Sequence, residues 1–474
     1  MYLEQQLELI QLLNGSVELK DNQINILDGE KLRGSIEALV RAAVLDEKEN
    51  RRYLARYLIR RIAAAAGVYQ NSIHDLYLAR GRGEIPNNFT TPAINLRCLT
   101  FYAAKIIFQI AIEINAGAYI FEIARSETGY TDQRPSEYAA NVLGAAVAAG
   151  YKGPVFIQGD HYQVSASRYK ENPNPEIQAV KELTLEALKA GFYNIDVDAS
   201  TLVDLSKESV VEQQVLNSEL TAMFSKYIRD LEPEGITVSI GGEIGEVGEE
   251  NSTEEELQAF LDNYETDLEK VAPGEVGLSK ISVLTGTSHG GVVLPDGSIK
   301  EVAVDFDLLK HLGKVSRESY GLGGAVQHGA STLPESAFNK FAEYETLEVH
   351  LATNFQNILY NELPEELVGE IYAYLDKNHS HERKSGQTDE QFYYKTRKRA
   401  LGVFKKQIWE ITDDQLAKII AAWDVQFRNL LECLGVADTR KYVDQYIHEV
   451  VIEPKLEDYL LGGVKKEDTT DLAD

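Results

Sequence analysis

Cysteine is scarce: Cys98 and Cys433 are the only two in 474 residues. They stand far apart, with no short spacing for a thiolate metal site and no set of partners for a disulfide framework. Basic residues are also in short supply, 47 Lys and Arg against 75 Asp and Glu, for a net charge of −28. Nucleic acid and anionic membrane, both polyanions, are therefore excluded as expected partners. A small phosphorylated ligand is not excluded, because a local pocket can oppose the global field. No apolar run is long enough to span a bilayer. The opening Met1-Tyr-Leu-Glu-Gln lacks a basic stretch followed by an apolar core, so no signal peptide is expected and the chain reads as cytoplasmic. A glycine-rich phosphate fingerprint after the first strand is missing too, which counts against an open doubly wound sheet.

What is present is a change of rhythm. Residues 1–85 read as a helical extension: Ile36, Leu39, Val40 and Ala43 recur at helical spacing, and Arg51 to Ala66 forms a second amphipathic stretch. Its arginines are expected to make a solvated or intersubunit face. Gly81-Arg-Gly-Glu-Ile-Pro86 breaks the pattern and marks a boundary. From there to about residue 360, short apolar runs alternate with longer helical stretches. The runs are Ala93-Ile-Asn-Leu, Ala118-Tyr-Ile-Phe-Glu-Ile, Pro154 to His161, Asn194-Ile-Asp-Val, Ile236 to Ile240, Ile281 to Leu284, Gly323 to Val326 and Thr346 to Leu351. Between the third and fourth, Asn174 is placed to cap a helix that Gly191 stops. Eight strand–helix units predict an α/β fold, a (β/α)8 TIM barrel over residues 86–360. Residues 361–474 make a C-terminal helical region, with amphipathic helices at Leu363 to Tyr374 and Asp413 to Leu434. The acidic tail after Lys465 is expected to fray.

Pro154-Val-Phe-Ile-Gln-Gly-Asp-His161 is the stretch that organises the rest. A buried parallel strand ending in Asp160 and His161 puts both where barrels keep their chemistry, at the C-terminal strand ends. Asp196 lies in the fourth strand. The fifth runs into Glu243-Ile-Gly-Glu246-Val-Gly-Glu249-Glu250-Asn251, the sixth into His289-Gly290, and the seventh into His328-Gly329-Ala-Ser331. Three histidines with a carboxylate between them suit zinc or a similar divalent ion. The adjoining glycines let backbone amides approach an anion.

In this order the motifs resemble those of the class II (metal-dependent) fructose-bisphosphate aldolases, from Phe89-Thr-Thr-Pro-Ala-Ile-Asn to about Trp409. The resemblance implies that Asp160 is a catalytic acid and that His161, His289 and His328 hold the metal. Glu243 and Asp196 would be alternative or second-metal ligands, with Asp198 and Glu246 next in line. Gly248-Glu-Glu-Asn251 resembles the family's mobile glutamate loop, one residue shorter, which makes Glu250 the proton-transferring base and Glu249 second to it. Gly290, Gly329, Ser331 and Thr353 match the triose-phosphate site. Phe392-Tyr-Tyr-Lys-Thr-Arg397 resembles the segment whose arginine reaches the second phosphate. Ser126-Glu127 and Gly129 match the second-strand loop only loosely.

Two departures stand out. His350 occupies the place of the family's usual Asn, and His328-Gly-Ala-Ser-Thr replaces His-Gly-Gly-Ser-Gly. The implied function is reversible aldol cleavage of fructose 1,6-bisphosphate to dihydroxyacetone phosphate and glyceraldehyde 3-phosphate, a step of glycolysis and gluconeogenesis. Zn2+ or another divalent metal would be the cofactor, with a monovalent cation as a further expectation. Tagatose bisphosphate or another phosphorylated ketose is the alternative substrate, and a non-catalytic aldolase-like subunit the alternative role. No Schiff-base lysine is needed, and none is evident at the strand ends. The length beyond the barrel points to a homo-oligomer, a dimer or larger.

Overall fold

The computed structural model describes residues 2–245, 250–286, 304–460, 467, 469 and 472. Eight parallel strands, numbered here in chain order, close into a barrel: β1 (Thr91–Asn95), β2 (Ile120–Ala124), β3 (Gly153–Gln163), β4 (Asn194–Asp198), β5 (Ser239–Glu243), β6 (Lys280–Val283), β7 (Ala325–Gln327) and β8 (Glu348–Leu351). Each pairs with the next, and β8 returns to β1 through Glu348↔Thr91 and His350↔Ala93. Helices fill the crossovers, as parallel pairing requires. The apolar positions of the strands, among them Phe121, Ile157, Ile195, Ile240 and Val349, face this helical layer and are fully buried. β5 starts three residues later than expected, at Ser239, because Ile236 and Val238 belong to the buried approach to the strand.

β3 departs from regular geometry where it matters. Its pairing with β4 runs Gly159↔Ile195 and then Tyr162↔Val197, so Asp160 and His161 together face the single residue Asp196. That is a β-bulge. His161 takes a left-handed backbone, φ 41°. A side chain on residue 159 would put its Cβ 2.4 Å from the Tyr162 ring, so Gly159 leaves the room in which Tyr162 folds back. Neighbours in a strand normally point to opposite faces. The bulge turns both Asp160 and His161 toward the same cavity.

The barrel interior is polar. Glu122, Gln158, Asp196, Lys280 and Glu348 are all at most 1% exposed. Lys280 Nζ reaches Gln158 Oε1 at 2.7 Å, Asp196 at 2.9 Å and Glu348 Oε1 at 2.5 Å. A Cβ at Gly241 would lie 2.3 Å from Asp196 Oδ1, so glycine keeps that space open. Below this layer the helix His74–Gly81 plugs the barrel, and the Tyr77 hydroxyl donates to Glu348.

The N-terminal extension contains more than helices. A hairpin pairs Val17–Lys20 with Gln23–Ile26, and Val68–Asn71 joins the start of β3 in parallel. Ile36, Leu39, Val40 and Ala43 are buried on the helix Gly29–Leu45. The arginines of the helix Glu49–Ala65 do not all form the expected solvated face. Arg56 and Arg60 are buried, Arg56 against Glu137 at 2.7 Å and Arg60 against the Lys189 carbonyl and the Tyr193 hydroxyl. Glu137 also receives Lys405 at 2.7 Å, so one carboxylate fastens both extensions to the barrel. The helix expected to start at Asn174 begins earlier, as Pro173–Ala190 behind Asn172, and Gly191 ends it at φ 87°. The C-terminal region supplies Glu365–Asn378, Asp389–Thr396 and Asp413–Cys433. Among the described residues no helix is long and apolar enough to cross a membrane.

Candidate metal centre and its cavity

At the C-terminal strand ends a cavity of about 900 Å³ gathers Asp160, His161, His328, Gly329, Ser331, His350 and Thr353. These seven expected site residues thus come together from β3, β7, β8 and the turns that follow. The ring centroids of His161 and His328 lie 4.4 Å apart, and those of His328 and His350 lie 4.0 Å apart. Glu243 ends β5 and brings Oε1 to 2.9 Å from His161 Nδ1. Asp198 Oδ2 lies 3.2 Å from the same nitrogen and is held by Gln163 Nε2 at 2.8 Å. His328 Nε2 is 2.9 Å from the Ser282 hydroxyl.

His350 is fixed from both sides. Its Nε2 lies 2.6 Å from Glu348 Oε1, while Nδ1 lies 3.2 Å from Asp160 Oδ1 and 3.1 Å from Glu122 Oε2. An amide at this position would present a carbonyl oxygen, an acceptor, to one of these carboxylates; the imidazole has a carboxylate at each nitrogen.

Other expected site residues sit elsewhere. Asp196 is beneath the cavity, bonded to Lys280. Arg397 is off the wall, its guanidinium stacked between Tyr360 and Tyr394 and bonded to Asn357 at 2.5 Å. Arg97, Lys384, Lys395, Lys398 and Arg399 line the wall instead. Ser126 is buried outside the cavity lining, and its carbonyl accepts a bond from Thr469. Glu250 is exposed. His289, Gly290, Glu246 and Glu249 lie outside the described residues. Glu122, Lys280 and Glu348 were missed as site residues. Their signal was a charged residue inside a strand that is otherwise apolar and buried.

The donor set fits a divalent cation. Asp160, His161 and His328 offer ligand atoms within 4.8 Å of one another, and so do His161, Asp198 and Glu243. Asp160 Oδ1 and Glu243 Oε1 are buried with imidazole nitrogens beside them, His350 Nδ1 at 3.2 Å and His161 Nδ1 at 2.9 Å, but no aligned hydrogen bond. Imidazole with carboxylate is the chemistry of zinc and its neighbours.

The charges follow from crowding. Burial and Asp198 push Glu243 up to about 7. Burial and Asp160 push Glu122 up to about 8. Burial raises Asp196 to about 6 despite Lys280. Burial opposes the ionised form of Asp160, yet His161 and His350 hold its carboxyl well below the usual range. Burial works against charge on His161 and His350, yet the carboxylates around them raise both well above 6.5. On the wall, burial with Arg97 and Arg399 pushes Lys398 down to about 7.

These shifts set a pH dependence. Glu243, Glu122, Asp196, His161 and His350 all hold protons more tightly in the metal-free folded protein than in the unfolded chain. Its stability therefore falls as pH rises from about 5 toward 8. Asp160 and Glu348 act in the opposite direction only in the acid range below their usual values, while buried His74, lowered to about 4, and Lys398, lowered to about 7, offset part of the fall. Urea titrations of chelator-treated protein at pH 5, 6.5 and 8 are expected to give falling midpoints; a flat or rising series would contradict the charge assignment.

The family model described as fructose-bisphosphate aldolase class-II matches residues 86–409. A comparison with curated proteins returns no match. Among solved structures, the fructuronate-tagaturonate epimerase UxaE from Cohnella laeviribosi is 12% identical, with 90% of each chain covered and a TM-score of 0.55. A probable tagatose 6-phosphate kinase from Sinorhizobium meliloti 1021 is 14% identical, covering 75% of this chain and 99% of its own, with a TM-score of 0.53. The fructose-bisphosphate aldolase of Campylobacter jejuni is 17% identical, covering 78% and 97%, with a TM-score of 0.47. At these identities the first two bear on the fold alone.

Proposed function

Because the chain belongs to the class II fructose-bisphosphate aldolase family, we propose that it cleaves and forms a carbon–carbon bond beside the carbonyl of an anionic ketose, with fructose 1,6-bisphosphate as the first substrate. The observation that carries the reading is the convergence of Asp160, His161, His328 and His350 on one cavity with a basic wall.

His161 and His328, with His289 and Glu243, would hold a divalent metal, for which zinc is the leading identity. Bound there it would supply Lewis-acid polarisation of the ketose carbonyl. The chain's own groups divide the remaining work. Asp160 Oδ1, kept ionised and oriented by His350, takes the hydroxyl proton from carbon 4 as the bond between carbons 3 and 4 breaks. The hydroxyl becomes the aldehyde, and the electron pair stays on the enediol fragment at carbon 3. Glu250, from the loop after β5, returns a proton to that carbon. Arg97, Lys395, Lys398 and Arg399 face the substrate's distal phosphate. Their crowding, visible in the depressed Lys398, is what a bound anion would relieve.

Cleavage of fructose 1,6-bisphosphate by the purified protein is expected to be lost on chelation and restored by zinc. Activity indifferent to chelator would overturn the metal assignment. Replacing Lys398 with methionine is expected to raise KM by about tenfold, the worth of one charge-assisted bond to phosphate.

A second reading keeps the cleavage but rejoins the fragments with inverted configuration, so the net reaction is epimerisation. It is favoured by the share of the cavity wall that the stretch from Lys384 to Arg399 supplies, which would help to retain the aldehyde fragment. The solved epimerase shares the additions as well as the barrel, at the level of fold. NMR of the sugar pool separates the two: free triose for cleavage, a carbon-4 epimer for inversion.

A further inference from the structure

The tail after Lys465 was expected to fray, yet its described residues, Glu467, Thr469 and Leu472, are docked against the barrel. Glu467 meets the guanidinium of Arg125, a side chain with no exposure, and lies 2.8 Å from Arg168 Nη1. Thr469, 4% exposed, donates its hydroxyl to the Ser126 carbonyl at 2.9 Å. Gly129 has no Cβ where one would come within 2.3 Å of Thr469 Oγ1, so the chain beneath is shaped to receive that residue. Leu472, 8% exposed, lines the same cavity as Asp160 and His161.

The anchor is not a peripheral one. Arg125 follows β2 directly, donates to the Gln163 carbonyl at the end of β3, and pairs with Glu176 at 2.6 Å. The arginine that holds Glu467 therefore also braces the strand that carries Asp160 and His161. A surface tail on an acidic protein would have no reason to place a leucine in a polar cavity.

We propose that Glu467, Thr469 and Leu472 are fixed in place beside the substrate site, Glu467 pinned to Arg125 and Arg168 and Leu472 a specificity-determining residue facing the bound substrate. The substrate part rests on the reading above; the docking part does not. Leu472 supplies an apolar surface in the cavity that Asp160, His161 and His328 also line, against which the carbon chain of the ketose packs while its anionic end meets the basic wall.

The test uses the full-length, metal-loaded protein. Release of the tail by trypsin after Lys466, followed by mass spectrometry and normalised to cleavage of free peptides carrying the same residue 467, is expected to run about tenfold faster in Glu467→Gln than in the unsubstituted protein, the effect of losing about one charged hydrogen bond. Equal rates would overturn the docking, whatever the enzyme acts on. Leu472→Ala is expected to raise KM for fructose 1,6-bisphosphate several-fold and leave kcat and metal content within about twofold. Unchanged KM would overturn the role of Leu472. Should the unsubstituted protein not turn over this sugar, the substrate reading fails by itself. The placement is then read from hydrogen exchange of residues 158–165, which should speed up in both variants; unchanged exchange would overturn it.

Discussion

Lys280→Met is expected to cost the protein about 3–5 kcal/mol of stability, read as a large drop in urea midpoint, because removing one partner of a buried ion pair strands the others. Methionine matches the length of lysine and brings no donor to three oxygens now held at 2.5–2.9 Å. Asp196 and Glu348 have no access to water that would replace the ammonium, both being at most 1% exposed. Adding Glu348→Gln to Lys280→Met should recover part of the loss, since one of the stranded charges is gone. A loss below about 1 kcal/mol would mean that the interior takes up a proton at little cost, and that Lys280 is not its essential counter-charge.

His161→Ala and His328→Ala are each expected to abolish tight metal binding and to lower turnover by more than about a thousandfold, since both rings belong to the proposed ligand set. Metal content by atomic absorption and cleavage rate should fall together. Retained metal in either variant would defeat the ligand assignment. His161 allows a sharper comparison because of its φ of 41°. A left-handed backbone costs an ordinary residue about 1–2 kcal/mol, a penalty glycine escapes. The metal-free His161→Gly protein should thus be more stable than metal-free His161→Ala by roughly that amount. Equal stability would mean that the turn is not strained.

Much of the barrel was legible because its strands are buried on both sides and read as apolar runs between glycine and helix. Even so, β5 was placed three residues early: Ile236 and Val238 are apolar enough to look like strand, while Ser239 to Glu243 has Ile240 as its one apolar side chain. Short apolar runs do not carry register. The same reason hid Lys280 and Glu348. A rule that strands end in chemistry looks at their C-terminal ends, and these two residues open β6 and β8. Asp160, His161, His328 and His350 could be singled out because Asp-His, His-Gly and the missing Asn are local patterns. The arginine of the late Tyr-Tyr-x-x-Arg segment could not be placed that way. One helical position decides whether a side chain lies among Tyr360 and Tyr394, as Arg397 does, or on the cavity wall, as Lys398 does. The docking of Glu467 was illegible for another reason. It depends on a buried arginine more than 300 residues away in sequence, and an acidic tail carries no record of its partner.

The bulge in β3 also sets what can be transplanted. A designer moving this Asp-His pair to another parallel barrel would be tempted to write it into a strand of normal length. One of the two would then face the helices. The portable unit is the four-residue block from Gly159 to Tyr162: a glycine without a Cβ, the carboxylate and the imidazole, and an aromatic ring that returns the chain to register. The host strand must also lengthen by one residue without its partner doing so, which makes the graft an insertion rather than a substitution.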